Sequence, residues 1–120
     1  MENKEFAQRL ELRTIEFAVK IIKLSTQLPN TPEAREIKNQ ITKSGTSIGA
    51  NYREANRARS RNDFKSKIGI CESEASETLY WLEVIVKADL LSWDQVKPDY
   101  NECDELLAIF TSICKSTKRS

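Results

Sequence analysis

From Phe64 to Ile85 the chain keeps one unbroken rhythm. Phe64, Ile68, Cys71, Ala75, Thr78, Leu82 and Ile85 recur at intervals of four and three residues. An α-helix brings residues at that spacing onto one face, and a bundle or coiled coil is what buries such a face along its whole length. Leu79 and Val86 widen the stripe, as suits a helix enclosed by neighbours. This segment predicts a helix over about 61–88, with Ser60 as N-cap and Asp63 answering it three residues on. The fold class it points to is all-α.

Three further helices follow from the same reading. Pro29-Asn30-Thr31-Pro32 separates a first helix (about 5–28) from a second (about 32–58), with Thr31 as N-cap and Pro32 in the first turn. The second helix has the stripe Ile37, Ile41, Ser44, Ile48, Asn51 and Ala55. Ser44 and Asn51 are polar at core positions, where burial demands hydrogen-bond partners, and are read as a register-fixing pair. A fourth helix spans about 93–116, capped by Ser92 and Gln95, with Pro98 predicting a kink or a short separate first turn. Short connections between four helices of similar length favour an antiparallel up-down-up-down four-helix bundle in a single domain, residues 1–120.

The first helix is apolar on two sides. Leu12, Ile15, Val19, Ile22 and Thr26 form one stripe; Phe6, Leu10, Phe17, Ile21, Leu24 and Leu28 form another, nearly opposite. A small domain cannot easily enclose both, so self-association is expected, with Phe6, Leu10, Phe17, Ile21 and Leu24 assigned to the contact between copies. The second helix carries Gly45 and Gly49 among small residues. A mid-helix glycine costs roughly 1 kcal/mol against alanine. Close approach of another helix backbone would offset that, which makes Ser44, Gly45, Ser47, Gly49 and Asn51 a helix-packing motif.

Histidine is absent, which removes Ser-His and Cys-His nucleophiles, imidazole acid–base chemistry and most zinc sites. No acidic pair stands out, so a carboxylate-dependent nuclease is the weakest reading. Cys71, Cys103 and Cys114 lack metal-type spacing and fall on apolar stripes, as reduced core residues of a cytoplasmic protein would. No catalytic residue, metal or cofactor is expected. Nor is a membrane span or a signal peptide: no long apolar run occurs, and the first residues are acidic and polar.

A formal net charge of +1 hides a strong segregation. Residues 35–67 carry nine Lys/Arg against Glu36, Glu54 and Asp63, a net of +6. Residues 72–105 carry ten Asp/Glu against Lys87 and Lys97, a net of −8. An up-down bundle gathers Arg57, Arg59, Arg61, Lys65 and Lys67 at one end with Lys115, Lys118 and Arg119, while Asp89, Asp94 and Asp99 collect at the other. The basic pole either holds nucleic-acid phosphates, with little sequence preference and strong salt dependence, or pairs with glutamates of a neighbouring helix. Arg53 and Glu54 look structural.

Three motifs in order carry a family resemblance: Lys43-Ser44-Gly45-Thr46-Ser47-Ile48-Gly49-Ala50-Asn51-Tyr52-Arg53-Glu54-Ala55, Ala58-Arg59-Ser60-Arg61-Asn62-Asp63-Phe64 and Glu74-Ala75-Ser76-Glu77-Thr78-Leu79-Tyr80-Trp81-Leu82. From about Leu12 to Thr117 the chain resembles the bacterial four helix bundle proteins, also called the 23S rRNA-intervening-sequence or S23 family. The resemblance implies a homopentameric ring and no established catalysis. It also implies kinship with the accessory protein of diversity-generating retroelements, which works with a reverse transcriptase and nucleic acid. The expected function is a non-enzymatic, homo-oligomeric scaffold that binds RNA or DNA, with or without a protein partner. The alternative is a protein-binding adaptor with no nucleic-acid role.

Overall fold

The computed structural model describes residues 4–118 and contains four helices: α1 (Lys4–Ser25), α2 (Pro32–Ala55), α3 (Arg61–Lys87) and α4 (Trp93–Lys118). Each packs against its neighbour in sequence, and α4 returns to α1 across the sparsest seam. The result is an up-down-up-down bundle of 46 × 23 × 21 Å.

Local chemistry sets the helix ends. Thr31 and Ser60 are in extended backbone and accept from the Ala34 and Asp63 amides, at 3.2 and 3.0 Å, relieving two of the N-terminal donors that lack intrahelical partners. Ser92 and Gln95 cap α4 reciprocally: the Gln95 amide donates to Ser92 Oγ, and Gln95 Oε1 accepts from the Ser92 amide. The α-helices α1 and α2 stop three residues before the ends expected for them, at Ser25 and Ala55. Tighter turns continue the chain, with Leu28 still buried and Leu28 N donating to the Ser25 carbonyl. Pro98 lies inside a continuous α4, five residues from its start. At the end of α3, Asp89 takes a left-handed φ of 60°, and its amide and that of Leu90 donate to the Val86 and Ile85 carbonyls. This is a glycine-type C-cap made with an aspartate.

One core cluster runs the length of the bundle, including Phe17, Ile21, Ile41, Ile48, Ile68, Leu82, Ile85, Leu106 and Phe110. On α2 the inward position falls to Tyr52, which is wholly buried and meets the Phe110 ring edge-on at 5.5 Å. Asn51 is only half-buried, and its amide donates to the Ser47 carbonyl of its own helix at 2.9 Å. Register between α2 and α3 is marked instead by Ser44 and Thr78, both buried, whose hydroxyls lie 2.9 Å apart.

The α1–α2 seam is closed by glycine. A Cβ placed on Gly45 would lie 2.9 Å from Ile21 Cγ2, and one on Gly49 would lie 2.9 Å from Thr14 Oγ1. The two stripes of α1 are thereby sorted, and in the reverse of the expected sense. Leu10, Phe17, Ile21 and Leu24 are buried within their own chain and so are not free for a second copy, and Phe6 is partly buried against the same core. The stripe left exposed is Leu12 (56%), Ile15 (42%), Val19 (44%) and Ile22 (44%).

Candidate nucleic-acid interface

The basic pole is built by the α2–α3 corner and the last turn of α4. Since α2 ends at Ala55, Arg57 and Arg59 stand on the connecting loop, 56–60, and Arg61 opens α3. Turn hydrogen bonds from Arg57 N to the Glu54 carbonyl and from Ala58 N to the Ala55 carbonyl hold the loop against the helix it leaves. Lys65 lies one turn into α3. Lys115 and Lys118 belong to the last turn of α4, which the antiparallel course brings to the same end. Arg119 lies outside the described residues.

Ion pairing divides these cations into two groups. Lys67 Nζ donates to Glu54 Oε1 at 2.8 Å; this contact lowers the Glu54 pKa and raises that of Lys67. Lys67 thus has a partner within its own chain and is only half-exposed, which sets it apart from the other proposed phosphate ligands. Arg53 Nε reaches Glu11 Oε1 at 3.6 Å, and Asn56 Nδ2 donates to Glu11 Oε2 at 2.8 Å, tying the corner to α1. Arg57, Arg59, Arg61, Lys65, Lys115 and Lys118 form no ion pair among the described residues. All but Lys65 are exposed. Asp63, in the first turn of α3, is the acid set among them.

Helix dipoles treat the two sides of this pole differently. Lys115 and Lys118 sit at a C-terminus, where positive charge is favoured without any ligand. Arg61 sits at the N-terminus of α3, where a cation is disfavoured and an anion is welcome. The α3 side of the pole is therefore its anion-attracting part.

Much of the acidic segment is engaged elsewhere. Arg13 makes a two-pronged contact with Glu102, Nε to Oε2 at 2.6 Å and Nη2 to Oε1 at 2.8 Å, and also reaches Glu105 at 2.7 Å. These carboxylates hold the Arg13 pKa above its ordinary value, the hydrogen bond to Glu102 being the largest cause. Glu72 accepts from Thr111 Oγ1 at 2.7 Å. Sequence reasoning missed Arg13, whose partners are 89 and 92 residues away and visible only once α1 meets α4.

Among the described residues no catalytic constellation stands out. The described residues hold no group of three metal-ligating side chains. Burial pushes the Cys71 and Cys103 thiols up to about 12, far from a reactive thiolate, and their Sγ atoms face the Ile48 and Ala75 carbonyls. Cys114 is raised too, by burial and then by Glu72. No helix among the described residues is long and apolar enough to cross a membrane.

The model of the family described as "23S rRNA-intervening sequence protein" matches residues 8–112. Among solved structures, the chain is similar to the crystal structure of a protein of unknown function from the S23 ribosomal protein family of Bacteroides thetaiotaomicron VPI-5482. The two share 40% identity and a TM-score of 0.81, over 88% of this chain and 97% of that one. Among curated proteins none matches.

Proposed function

We propose, for a chain that belongs to the 23S rRNA-intervening sequence protein family, a non-enzymatic role as a homo-oligomeric scaffold that binds RNA or another nucleic acid through its basic pole. The observation that carries this reading is the set Arg57, Arg59, Arg61, Lys65, Lys115 and Lys118, gathered at one end with no carboxylate paired to them among the described residues. Contacts of this kind neutralise phosphates, release counterions and carry little sequence information. A single patch of this size binds weakly. A homo-oligomer, pentameric in the assembly we propose, presents several together, and the second and later contacts become intramolecular. The exposed apolar stripe on α1 supports self-association.

Titration of a fluorescent structured RNA at about 50 and about 200 mM salt tests the reading. Binding should weaken steeply with salt, and Arg57→Ala/Arg59→Ala/Arg61→Ala should flatten the log–log slope by roughly one per lost phosphate contact. RNA that fails to bind at low salt, or binds the triple variant unchanged, would overturn it and leave the protein-binding adaptor as the better account.

A further inference from the structure

Among the described residues, the exposed aromatic rings and the unpaired cations lie in opposite halves of the bundle. The chain has nine aromatic side chains. Phe17, Tyr52 and Phe110 are buried, and Phe6, Phe64, Trp81 and Tyr100 are partly buried against the same core. Tyr80 and Trp93 are the exposed pair. Counting from Arg61 to Tyr80 along α3, or from Trp93 to Lys115 along α4, each ring is roughly 30 Å from the basic pole at 1.5 Å per residue.

The rings stand among acids. Tyr80 meets Trp81 edge-on at 5.0 Å, and the Trp81 indole donates to Glu77 at 3.2 Å. Trp93 meets Tyr100 at 5.4 Å, and the Tyr100 hydroxyl donates to Glu83 at 3.4 Å. A groove of about 660 Å³ between α3 and α4 leads from Gly69 to Tyr80, and Glu72 and Glu77 line it. A phosphate backbone running from the pole to the rings would pass both carboxylates.

A single strand is held by cations along its backbone and aromatic faces under its bases, together in one channel. Here those two requirements are met at opposite ends. A double helix keeps its bases stacked on each other and needs no ring. It offers phosphates on two strands, one charge per ~1.7 Å of axis. We propose that the basic pole takes double-helical nucleic acid and discriminates against single strands.

The register of α3 on α4 fits two strands. Glu72 meets Thr111 and Glu83 meets Tyr100, so residue numbers paired across this seam keep a constant sum, which sets Lys118 level with Lys65. Axes of packed helices lie about 8–10 Å apart, between the ~6 and ~12 Å widths of the two grooves of B-DNA. One lysine on each helix can therefore reach a phosphate on either side of a groove. Arg61 lies one turn beyond Lys65, and turn hydrogen bonds hold the loop of Arg57 and Arg59 beside it. Cations fixed in this way suit a stiff ligand. The inference rests on the nucleic-acid reading of the pole and names the form of nucleic acid it takes.

Fluorescence anisotropy on the full chain at about 50 mM salt tests it with three probes: an unstructured RNA strand of about 16 nucleotides, the RNA duplex it forms with its complement, and the DNA duplex of the same sequence. Either duplex should bind at least about tenfold more tightly than the strand, against the roughly twofold that the doubled phosphate count gives alone. Lys65→Gln and Lys118→Gln should each flatten the duplex log–log salt slope by about 0.9. Fluorescence of Trp81 and Trp93 should stay unchanged on binding, since both lie far from the pole. A strand that binds as tightly as the duplexes, a duplex slope that neither lysine variant moves, or quenching of the tryptophans by any probe overturns the inference and leaves nucleic-acid binding standing. Failure of all three probes to bind overturns the nucleic-acid reading itself.

Discussion

The α1–α2 seam and the α3–α4 seam are built from similar material and end differently. Both pair a helix rich in small residues with one rich in aliphatics. At α1–α2 the glycines admit Thr14 and Ile21, and the seam is shut on its own chain. At α3–α4 the inner side is sealed by Cys103, Leu106 and Phe110, all wholly buried, while the outer side stays open as a groove. A glycine therefore has no fixed meaning in a helix: its worth depends on what lies where the Cβ would be.

The same substitution at both seams is the hardest test of that contrast. Gly45→Leu drives a side chain into Ile21, whose branched Cβ leaves it few rotamers, and should cost about 3 kcal/mol. Gly69→Leu enters open space and should gain up to about 1 kcal/mol, measured in the Val19→Glu background so that assembly does not enter. Equal losses in urea melts would mean that the two seams do not differ. A smaller effect separates the sealed inner side from the open outer one. The Cys103 thiol, pushed up to about 12 by burial, ionises in the unfolded chain near its ordinary 9. The folded state then holds the extra proton. Its contribution is fully present below about pH 9 and is lost as pH rises toward 12, at about 1.4 kcal/mol per pH unit. Cys103→Ala should show a shallower decline than the wild type between pH 9 and 11, and identical slopes would place that thiol in contact with water. The smallest effect belongs to the third seam, α1–α4. Arg13→Met should cost about 1 kcal/mol, since the guanidinium fork is partly exposed, and less than that in high salt. A salt-independent loss would assign the effect to packing of the side-chain stem.

The bundle was legible because α2 and α3 repeat their spacing for many turns and the loops between elements are short. Thr31 and Ser60 cap as expected because a hydroxyl before a polar first turn has one obvious use. The inward face of α2 was harder to read. Asn51 and Tyr52 both lie near it, and the amide is satisfied by its own helix while the ring needs Phe110. The two stripes of α1 are almost equally apolar, so periodicity alone could not rank them. The glycines of α2 do: the stripe with Thr14 fits against Gly49, and its opposite is left outside. At the basic pole the sequence could not separate Lys67, whose partner Glu54 is thirteen residues away across a loop.

Arg13 joins the chain's first helix to its last, across a contact separated by 89 residues. Closing so long a loop is entropically dear, and the α1–α4 seam is the sparsest of the four. The bundle is therefore held most lightly along its α1–α4 edge, while α1 is fastened to α2 by the close approach at Gly45 and Gly49. Across that edge the ion-pair clasp among the described residues is the Arg13 guanidinium, with the Gln95–Gln27 amide contact beside the far end of α1.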